Sequence, residues 1–245
     1  MRYFLQIAYD GGNYHGWQVQ PNANSVQAEI DNALSALFTE QMHCTGCGRT
    51  DAGVHAADFY LHFDTEQPPH PQLVYKLNKM LPPDIAVYRM LEVADHAHSR
   101  FDATEREYRY FIHFNKNPFL RERSFYYPYP RPDMALMNEA AQLLLQHQDF
   151  APFCKSGHSA NTTFCDVRYA QWDELDGNRW CFTIRADRFL RGMVRLVVGA
   201  CLQVGRKKLS IQEFENTLST VGKFKYLHSV PANGLSLTAV KYPYL

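Results

Sequence analysis

The 245-residue sequence lacks both an excess of one charge and an apolar run long enough to cross a membrane. Lysine and arginine together number 25, as do aspartate and glutamate, so the formal net charge is zero. This balance gives no whole-chain attraction to a polyanionic partner. A secretory signal would need a basic and then an apolar segment, whereas this chain opens on an alternating strand. The sequence therefore predicts no membrane association and no signal segment.

Cysteine is sparse, and its spacing is not that of a disulfide framework. A chain of this length can bury a core without disulfides, so the six cysteines predict reduced thiols and a cytoplasmic location. Cys44 and Cys47 have the spacing of a CxxC motif, but no second pair follows at the spacing of a zinc site. We predict no metal site on this basis.

Positive charge is concentrated in one part of the chain. Between Arg179 and Lys208, eight basic residues accompany a single acid, Asp187. Such a local basic arm can track a phosphate backbone even in a neutral protein. A solvated helix face has the same composition, and the sequence alone leaves both interpretations open.

A stretch punctuated by glycine, from Gly46 to Gly53, holds the charged residues Arg49 and Asp51. Three glycines within eight residues favour a shaped loop over the interior of a helix or strand. Apolar and polar residues then alternate over 58–64, which predicts a half-buried strand. Charged residues on a loop that a sheet positions are often catalytic or binding residues. The alternative is a solvated turn whose Asp51 carboxylate only caps its own backbone.

Strand and helix patterns alternate along the chain and predict a mixed α+β fold. Apolar residues at helical spacing from Val26 to Leu37 indicate an amphipathic helix, and Asn24 followed by Gln27 predicts a capping box at its start. A polar, irregular passage between 95 and 104 predicts a division into two halves. The N-terminal half would be residues 1–103 and the C-terminal half residues 104–245.

Two charged or aromatic features stand out in the second half. A strand predicted over 107–114 places Tyr108 among aromatic residues on one face, where they either pack or stack on bases. A helix predicted over 190–204 is almost entirely apolar but contains Arg195. A guanidinium there is costly unless a carboxylate meets it, and Asp51 is a candidate partner. Alternatively, Arg195 reaches water along its own stem.

The octamer Gly48–His55 is the most distinctive motif, and Tyr9–Gly11 with Gly16–Gln18 forms an N-terminal block before it. Further blocks are Ser25–Gln27, Asn78, Leu81–Ile85, Phe101–Thr104, Tyr108–Tyr110, Asp149–Phe150, Phe189–Leu190, Met193–Arg195 and Pro231–Leu235. Together, in this order and nearly from end to end, these motifs resemble the tRNA pseudouridine synthase A family.

The resemblance implies the pseudouridine synthase fold, an α+β fold with a mostly antiparallel sheet, flanking helices and two similar α+β halves. Members of the family act on tRNA as homodimers and need neither cofactor nor metal. They isomerise uridine to pseudouridine in the anticodon stem-loop. The resemblance therefore implies this reaction, tRNA as partner, a homodimer and no cofactor for the present chain.

The resemblance also implies roles for four residues. Asp51 matches the family's catalytic aspartate, which either attacks the sugar C1′ or removes a proton from C2′. Arg195 matches the arginine that pairs with this aspartate, and Tyr108 matches the tyrosine that stacks on the target uracil. Arg49 matches an arginine that occupies the space left by the flipped nucleotide and contacts phosphate.

Several positions depart from the family pattern, and they concern RNA affinity and the choice of uridines. Glu105 and Glu107 flank Tyr108 where the family tends to be basic, and His15 replaces an aromatic residue before Gly-Trp. Around the Met-Val-Arg block the chain has Arg191-Gly192 and Leu196 in place of a histidine pair and an asparagine.

Two other functions remain as alternatives from the sequence. The first is a tRNA-binding module that keeps the fold without turnover, although a binder has no need for a carboxylate facing RNA. The second is a zinc-dependent base-modifying enzyme that uses Cys44, Cys47 and a histidine.

Overall fold

The computed structural model describes residues 1–154, 162–225 and 227–245. Two compact units are formed, one by residues 1–104 together with 236–245 and the other by residues 105–235. In chain order the described strands and α-helices are β1 (Arg2–Tyr9), α1 (Val26–Phe38), β2 (Thr45–Gly46), β3 (His55–Asp64), α2 (Leu73–Met80), β4 (Ile85–Val93), β5 (Glu105–His113), β6 (Phe125–Tyr126), α3 (Met134–Leu143), β7 (Val167–Asp176), β8 (Arg179–Ala186), α4 (Met193–Gly205), α5 (Ile211–Ser219) and β9 (Leu235–Lys241).

The first unit contains strands that lie side by side in the order β4-β1-β3-β9. Strand β1 is antiparallel to both β3 and β4, whereas β9 pairs with β3 in parallel. Helix α1 lies against this sheet, since the Phe38 ring meets the Phe63 ring of β3 at 5.7 Å between centroids. Trp17 and Phe59, both fully buried, lie 4.2 Å apart between ring centroids with their planes tilted by 32°, and they pack against Gly46 of the glycine-rich stretch.

Helix α1 begins one residue later than the predicted capping box required. Its N-cap is Ser25, whose backbone is extended and whose side-chain oxygen accepts the amide of Ala28 at 3.3 Å. The Asn24 side chain instead bonds His15 and the carbonyl of Asn13. The prediction that Asn24 caps the helix was wrong because tertiary contacts use that side chain elsewhere.

Strand β3 is buried on both faces rather than on one. Tyr60 and His62, which the alternation assigned to solvent, are only 5% and 6% exposed. The Tyr60 ring meets Tyr242 at 5.2 Å, and His62 Nδ1 lies 2.8 Å from the hydroxyl of Ser99. The prediction of a half-buried strand was wrong because the passage near Ser99 and the C-terminal segment cover the second face.

The second unit contains strands in the order β5-β8-β7, each antiparallel to its neighbour. Helices α3, α4 and α5 pack with one another and α3 packs on β7. Fully buried Trp172, Phe182 and Phe214 belong to this core. In α4, every residue except Arg195 and Gln203 is buried. The apolar character predicted for this helix is therefore confirmed.

The predicted fold class is confirmed: helices accompany a mostly antiparallel set of strands. The division into halves differs at the C-terminus, since residues 236–245 lie with the first unit and not the second. Pairing of β9 with β3 explains this placement. Among the described helices, none combines the length and the apolar character that crossing a membrane requires.

Candidate active site

Asp51 lies on a tight turn within the loop of residues 47–54, which joins β2 to β3. We call this segment the aspartate loop. The carbonyl of Asp51 accepts the amide of Val54 at 3.1 Å, and Gly53 has a φ of 77°, in the left-handed region that glycine favours. Asp51 is half-buried and Arg49 is exposed. The shaped loop predicted from the glycines is confirmed, and it presents both charged residues together.

The aspartate loop is anchored by residues 9–17, which run beside it. Trp17 donates its amide to the carbonyl of Thr50 at 3.3 Å, and Gly53 donates its amide to the carbonyl of Tyr14 at 3.2 Å. The hydroxyls of Tyr9 and Thr50 are 2.9 Å apart and buried. Backbone bonds on both sides of Asp51 therefore limit how far the carboxylate can move, as a preorganised site requires.

Gly16 lets the two segments approach more closely than any other residue would. Its φ is 93°, and a Cβ built on it would lie 2.4 Å from the carbonyl oxygen of Thr50 and 3.1 Å from the carbonyl carbon of Asp51. Such distances are far inside van der Waals contact. The glycine of the Gly16–Gln18 motif is therefore explained by the close approach of the aspartate loop.

His55 follows the aspartate loop and joins it to the end of β1. Its Nδ1 lies 2.9 Å from Asp10 Oδ1 and 3.1 Å from the amide of Gly11. A protonated Nδ1 donates to Asp10, whereas the other tautomer accepts from Gly11. Either arrangement ties the start of β3 to the segment that anchors Asp51. His55 closes the octamer motif, but residue patterns alone gave it no role.

Asp84 and Tyr14 form a second support that the sequence analysis missed. The Tyr14 hydroxyl donates to Asp84 Oδ1 at 2.6 Å, and Asn13 Nδ2 donates to Oδ2 at 3.1 Å. Burial and this carboxylate raise the pKa of Tyr14 well above its usual value, so the phenol remains a donor. The signal was present in the Leu81–Ile85 block, where an acid follows two prolines.

Tyr108 lies on β5 of the second unit, directly opposite Ile184 of β8. Its half-buried ring contacts Phe189 edge-on, with centroids 5.2 Å apart and an interplanar angle of 88°. Edge-to-face packing of this kind holds an aromatic ring in one orientation. Phe189, which the sequence analysis quoted only as part of a family block, therefore orients the Tyr108 ring.

Arg195 joins α4 to the chain segment around Val230. Its Nε donates to the carbonyl of Val230 at 2.7 Å, and the amide of Val230 donates back to the Arg195 carbonyl at 3.3 Å. Gly199 permits this approach, since a Cβ on it would lie 2.3 Å from the carbonyl of His228. The Nε bond constrains the direction of the half-buried guanidinium. Its pairing with Asp51 stays a prediction.

Glu105 and Glu107, the two acidic residues near Tyr108 that differ from the family pattern, are paired with arginines of the second unit. Glu107, 8% exposed, is 3.1 Å from Arg109 and 2.7 Å from Arg185, its partner in the strand register. Glu105 lies 3.6 Å from Arg168. These carboxylates therefore add little net negative charge beside Tyr108, which lowers their cost to RNA binding.

The basic residues between Arg179 and Lys208 do not act as one uniform arm. Arg179 pairs with Asp176 at 2.7 Å, and Arg206 lies over the ring of Tyr129 at 4.7 Å. Arg191 is exposed just before α4. Part of the predicted positive charge is thus used within the protein, and the exposed members are the ones suited to phosphate.

Cys44 and Cys47, the pair considered for zinc, are both buried. Burial and the nearby Asp31 carboxylate raise the pKa of Cys44 well above its usual value, which opposes the thiolate that a zinc ligand must be. In the part of the chain that the structure describes, no three histidine, cysteine or acidic side chains are grouped so as to hold a metal ion.

The four residues singled out from the sequence fall in two groups. Arg49 and Asp51 share the aspartate loop of the first unit, whereas Tyr108 and Arg195 lie on β5 and α4 of the second. Each group has its own rigid support, from residues 9–17 in one case and from Phe189 and Val230 in the other.

Comparison with known proteins defines the class first and then the family. A family model described as tRNA pseudouridine synthase matches residues 140–243. A protein named tRNA pseudouridine synthase A from Bacteroides thetaiotaomicron is 46% identical over 99% of this chain and 91% of its own length. Proteins of the same name from Parabacteroides distasonis and Bacteroides fragilis are 45% and 44% identical, each over 99% of this chain and 96% of their own. The chain belongs to the tRNA pseudouridine synthase A family.

Proposed function

We propose that this protein converts uridine to pseudouridine in the anticodon stem-loop of tRNA, with Asp51 as its catalytic carboxylate. The class of enzyme follows from family membership: the protein is a tRNA pseudouridine synthase, an isomerase. The observation that carries the role of Asp51 is its anchored turn, held by Tyr14 on one side and Trp17 on the other. A carboxylate that only capped its own backbone would not need this support.

The reaction rearranges one nucleotide without adding or removing atoms overall. The bond from uracil N1 to the sugar C1′ breaks, the base turns, and a bond from C5 to C1′ forms. The hydrogen on C5 leaves as a proton, and N1 gains a proton. Because nothing is oxidised or reduced, the balance requires neither a redox cofactor nor a second substrate, in line with the predicted absence of a cofactor.

Tyr108 would hold the loose base during its turn. A base inside a stacked strand must be flipped out before its C5 can be reached. Stacking on an aromatic ring contributes on the order of 1–3 kcal/mol per base. The Tyr108 ring is only half-buried and lies nearly perpendicular to the Phe189 ring, so part of it can meet the uracil.

Arg195 would pair with Asp51 and set its direction. A guanidinium beside a carboxylate favours the charged form, and its planar group constrains the geometry of the pair. The bond from Arg195 Nε to Val230 fixes the guanidinium plane, and the Nη atoms of that plane are donors suited to a carboxylate. Both chemical routes, attack at C1′ and removal of the C2′ proton, need Asp51 ionised.

Arg49 would contact the RNA backbone near the flipped nucleotide. It is exposed and lies two residues before Asp51 on the aspartate loop. A guanidinium there can occupy the vacated position in the stack and bond phosphate. We also propose that the protein works as a homodimer in the cytoplasm, with tRNA as its partner and no metal, as the family resemblance implies.

The test follows the hydrogen that the reaction must expel. Purified protein is incubated with unmodified tRNA that carries tritium at C5 of its uridines, and released tritium is counted. A second tRNA, in which cytidine replaces the uridines of the anticodon stem-loop, tests whether the modified uridines lie there. We expect release from the first tRNA only, and its loss in Asp51→Asn.

Asp95→Asn is the matched control, since Asp95 has a side chain that is 83% exposed. It should release tritium at the wild-type rate. Release by Asp51→Asn would remove Asp51 from the chemistry, and equal release from both tRNAs would overturn the anticodon assignment. Binding without any release would favour the tRNA-binding module, and loss of release with a chelator would favour the zinc enzyme.

A further inference from the structure

The loop after β5 exposes an aromatic side chain to an unusual degree. Phe119 is 94% exposed, the largest fraction among the exposed large hydrophobic residues of the described chain. It lies in residues 115–123, which we call the Phe119 loop. Single exposed hydrophobic residues are common on protein surfaces, so a binding role for Phe119 depends on the shape and charge of the loop around it.

The Phe119 loop holds its tip in a defined shape. The amide of Phe119 bonds the side chain of Asn117 at 2.9 Å, and the amide of Arg123 bonds the carbonyl of Leu120 at 3.1 Å. Asn233 Nδ2 donates to the carbonyl of Arg121 at 2.7 Å. The exposed ring is therefore presented by an anchored turn, and little ordering remains to be done on binding.

The charge around Phe119 favours a polyanion. Three basic residues, Lys116, Arg121 and Arg123, accompany one acid, Glu122, which pairs with Arg121 at 2.9 Å, so the loop keeps an excess of two positive charges (three minus one). A phosphate backbone would be attracted to this excess of positive charge. A second copy of the same loop, facing it across a two-fold axis, would be repelled. Aromatic and basic side chains together are the combination that binds unpaired nucleotides.

We propose that the Phe119 loop is a second tRNA-binding surface, on which Phe119 stacks against an unpaired base while Lys116 and Arg121 contact phosphates. The inference rests on the proposed function, because it takes tRNA as the substrate. The loop follows the end of β5 at His113, five residues and therefore roughly 17 Å along the strand from Tyr108. Its contacts thus fall outside the flipped nucleotide and serve affinity rather than chemistry.

The test separates tRNA binding from turnover. For Phe119→Ala we expect the Kd and KM for tRNA to rise by about tenfold, with kcat unchanged. Phe119→Tyr should restore binding, since it keeps the ring. For the double variant Lys116→Ala/Arg121→Ala, the slope of log affinity against log salt should fall by about 0.7–0.9 for each phosphate that is no longer neutralised.

Tyr88→Ala is the control, because Tyr88 is 57% exposed but lies on β4 of the first unit. It should leave Kd unchanged, and thermal unfolding should show that every variant folds. An unchanged Kd in Phe119→Ala would overturn the inference while tritium release by the wild type still upheld the proposed function. If tRNA binding depended on Phe119 but the wild type released no tritium, the inference would stand and the proposed function would be overturned. Dissociation of a dimer by Phe119→Ala, seen in sedimentation, would assign the loop to a second copy instead.

Discussion

The side chain of Tyr14 and the carboxylate of Asp84 are joined by a 2.6 Å hydrogen bond that spans 70 positions of the sequence. The carbonyl of the same tyrosine accepts the amide of Gly53, in the turn that carries Asp51. One residue therefore connects the start of β4 to the aspartate loop. Disturbing this connection should affect both stability and turnover.

Tyr14→Phe removes the hydroxyl and keeps the ring. We expect the free energy of unfolding to fall by about 1.5–3 kcal/mol, as is usual for a hydrogen bond to a charged group. The rate of tritium release should fall too, because the aspartate loop loses part of its support. Urea unfolding and the tritium assay measure the two effects. Tyr3→Phe is the control, since the Tyr3 hydroxyl lies 3.7 Å from a methionine sulfur; equal losses in both variants would argue against the connection.

Gly16→Ala should displace the aspartate loop. The new Cβ would lie 2.4 Å from the Thr50 carbonyl at a φ of 93°, so the backbone next to Asp51 must move. A displacement of about 1 Å can reduce a rate by about 10²-fold. We expect a loss of this size in kcat for tRNA, measured at saturating substrate.

The control for this prediction is Gly48→Ala, on the aspartate loop itself. A Cβ on Gly48 meets nothing within 4 Å. This variant should keep kcat within about twofold of the wild type, since a surface substitution that meets no neighbour is usually neutral. If Gly16→Ala retained full turnover, the close approach of the two segments would have no bearing on catalysis.

Arg195→Lys keeps the positive charge but loses the donor that bonds Val230. Lysine has no planar fork and cannot hold a carboxylate and the Val230 carbonyl together. We expect kcat to fall by about 10²-fold, with about 1 kcal/mol less stability. Arg191→Lys, an exposed position before α4, should change neither quantity. Wild-type turnover in Arg195→Lys would show that only the charge matters.

Stability should fall in mild acid because of His62. Burial lowers the pKa of His62 to about 4, and burial lowers the pKa of neighbouring His98 as well. Below the ordinary histidine pKa of about 6.5, the unfolded chain binds protons that the folded chain does not. His62 therefore takes nothing from the unfolding free energy above about pH 6.5. As the pH falls from there towards 4, protonation of the unfolded chain lowers the unfolding free energy progressively. Lowering the pH from 7 to 5 should remove about 2 kcal/mol of unfolding free energy.

Urea unfolding of His62→Asn at the two pH values tests this assignment. Asparagine cannot take up a proton, so the variant should lose most of that pH dependence. His70→Asn changes an exposed histidine and should keep it. An unaltered pH dependence in His62→Asn would place the acid sensitivity in other groups.

Local patterns in the sequence predicted the features that depend on neighbouring residues. Helical spacing located α1, and closely spaced glycines located the aspartate loop, because both signals reflect backbone geometry over a few residues. The apolar run around Arg195 likewise predicted a buried helix with one guanidinium that needs partners. The ordered motifs also identified the family, since they run nearly from end to end of the chain in the same order.

Interactions between distant residues decided the rest. Ser25 and not Asn24 caps α1 because His15 and Asn13 engage the Asn24 side chain, and Tyr60 is buried because Tyr242 covers it. A pattern with a period of two cannot reveal a second covering layer.

The contacts that hold the candidate site residues in place also join residues that are far apart in the sequence. Asp84 reaches Tyr14 across 70 positions, and Arg185 neutralises Glu107 across 78. Residue type and spacing determined which side chains could take part in the chemistry. Only the folded chain decided what holds them in place, because the partners of a buried polar group are set by packing over the whole unit and not by its neighbours in sequence.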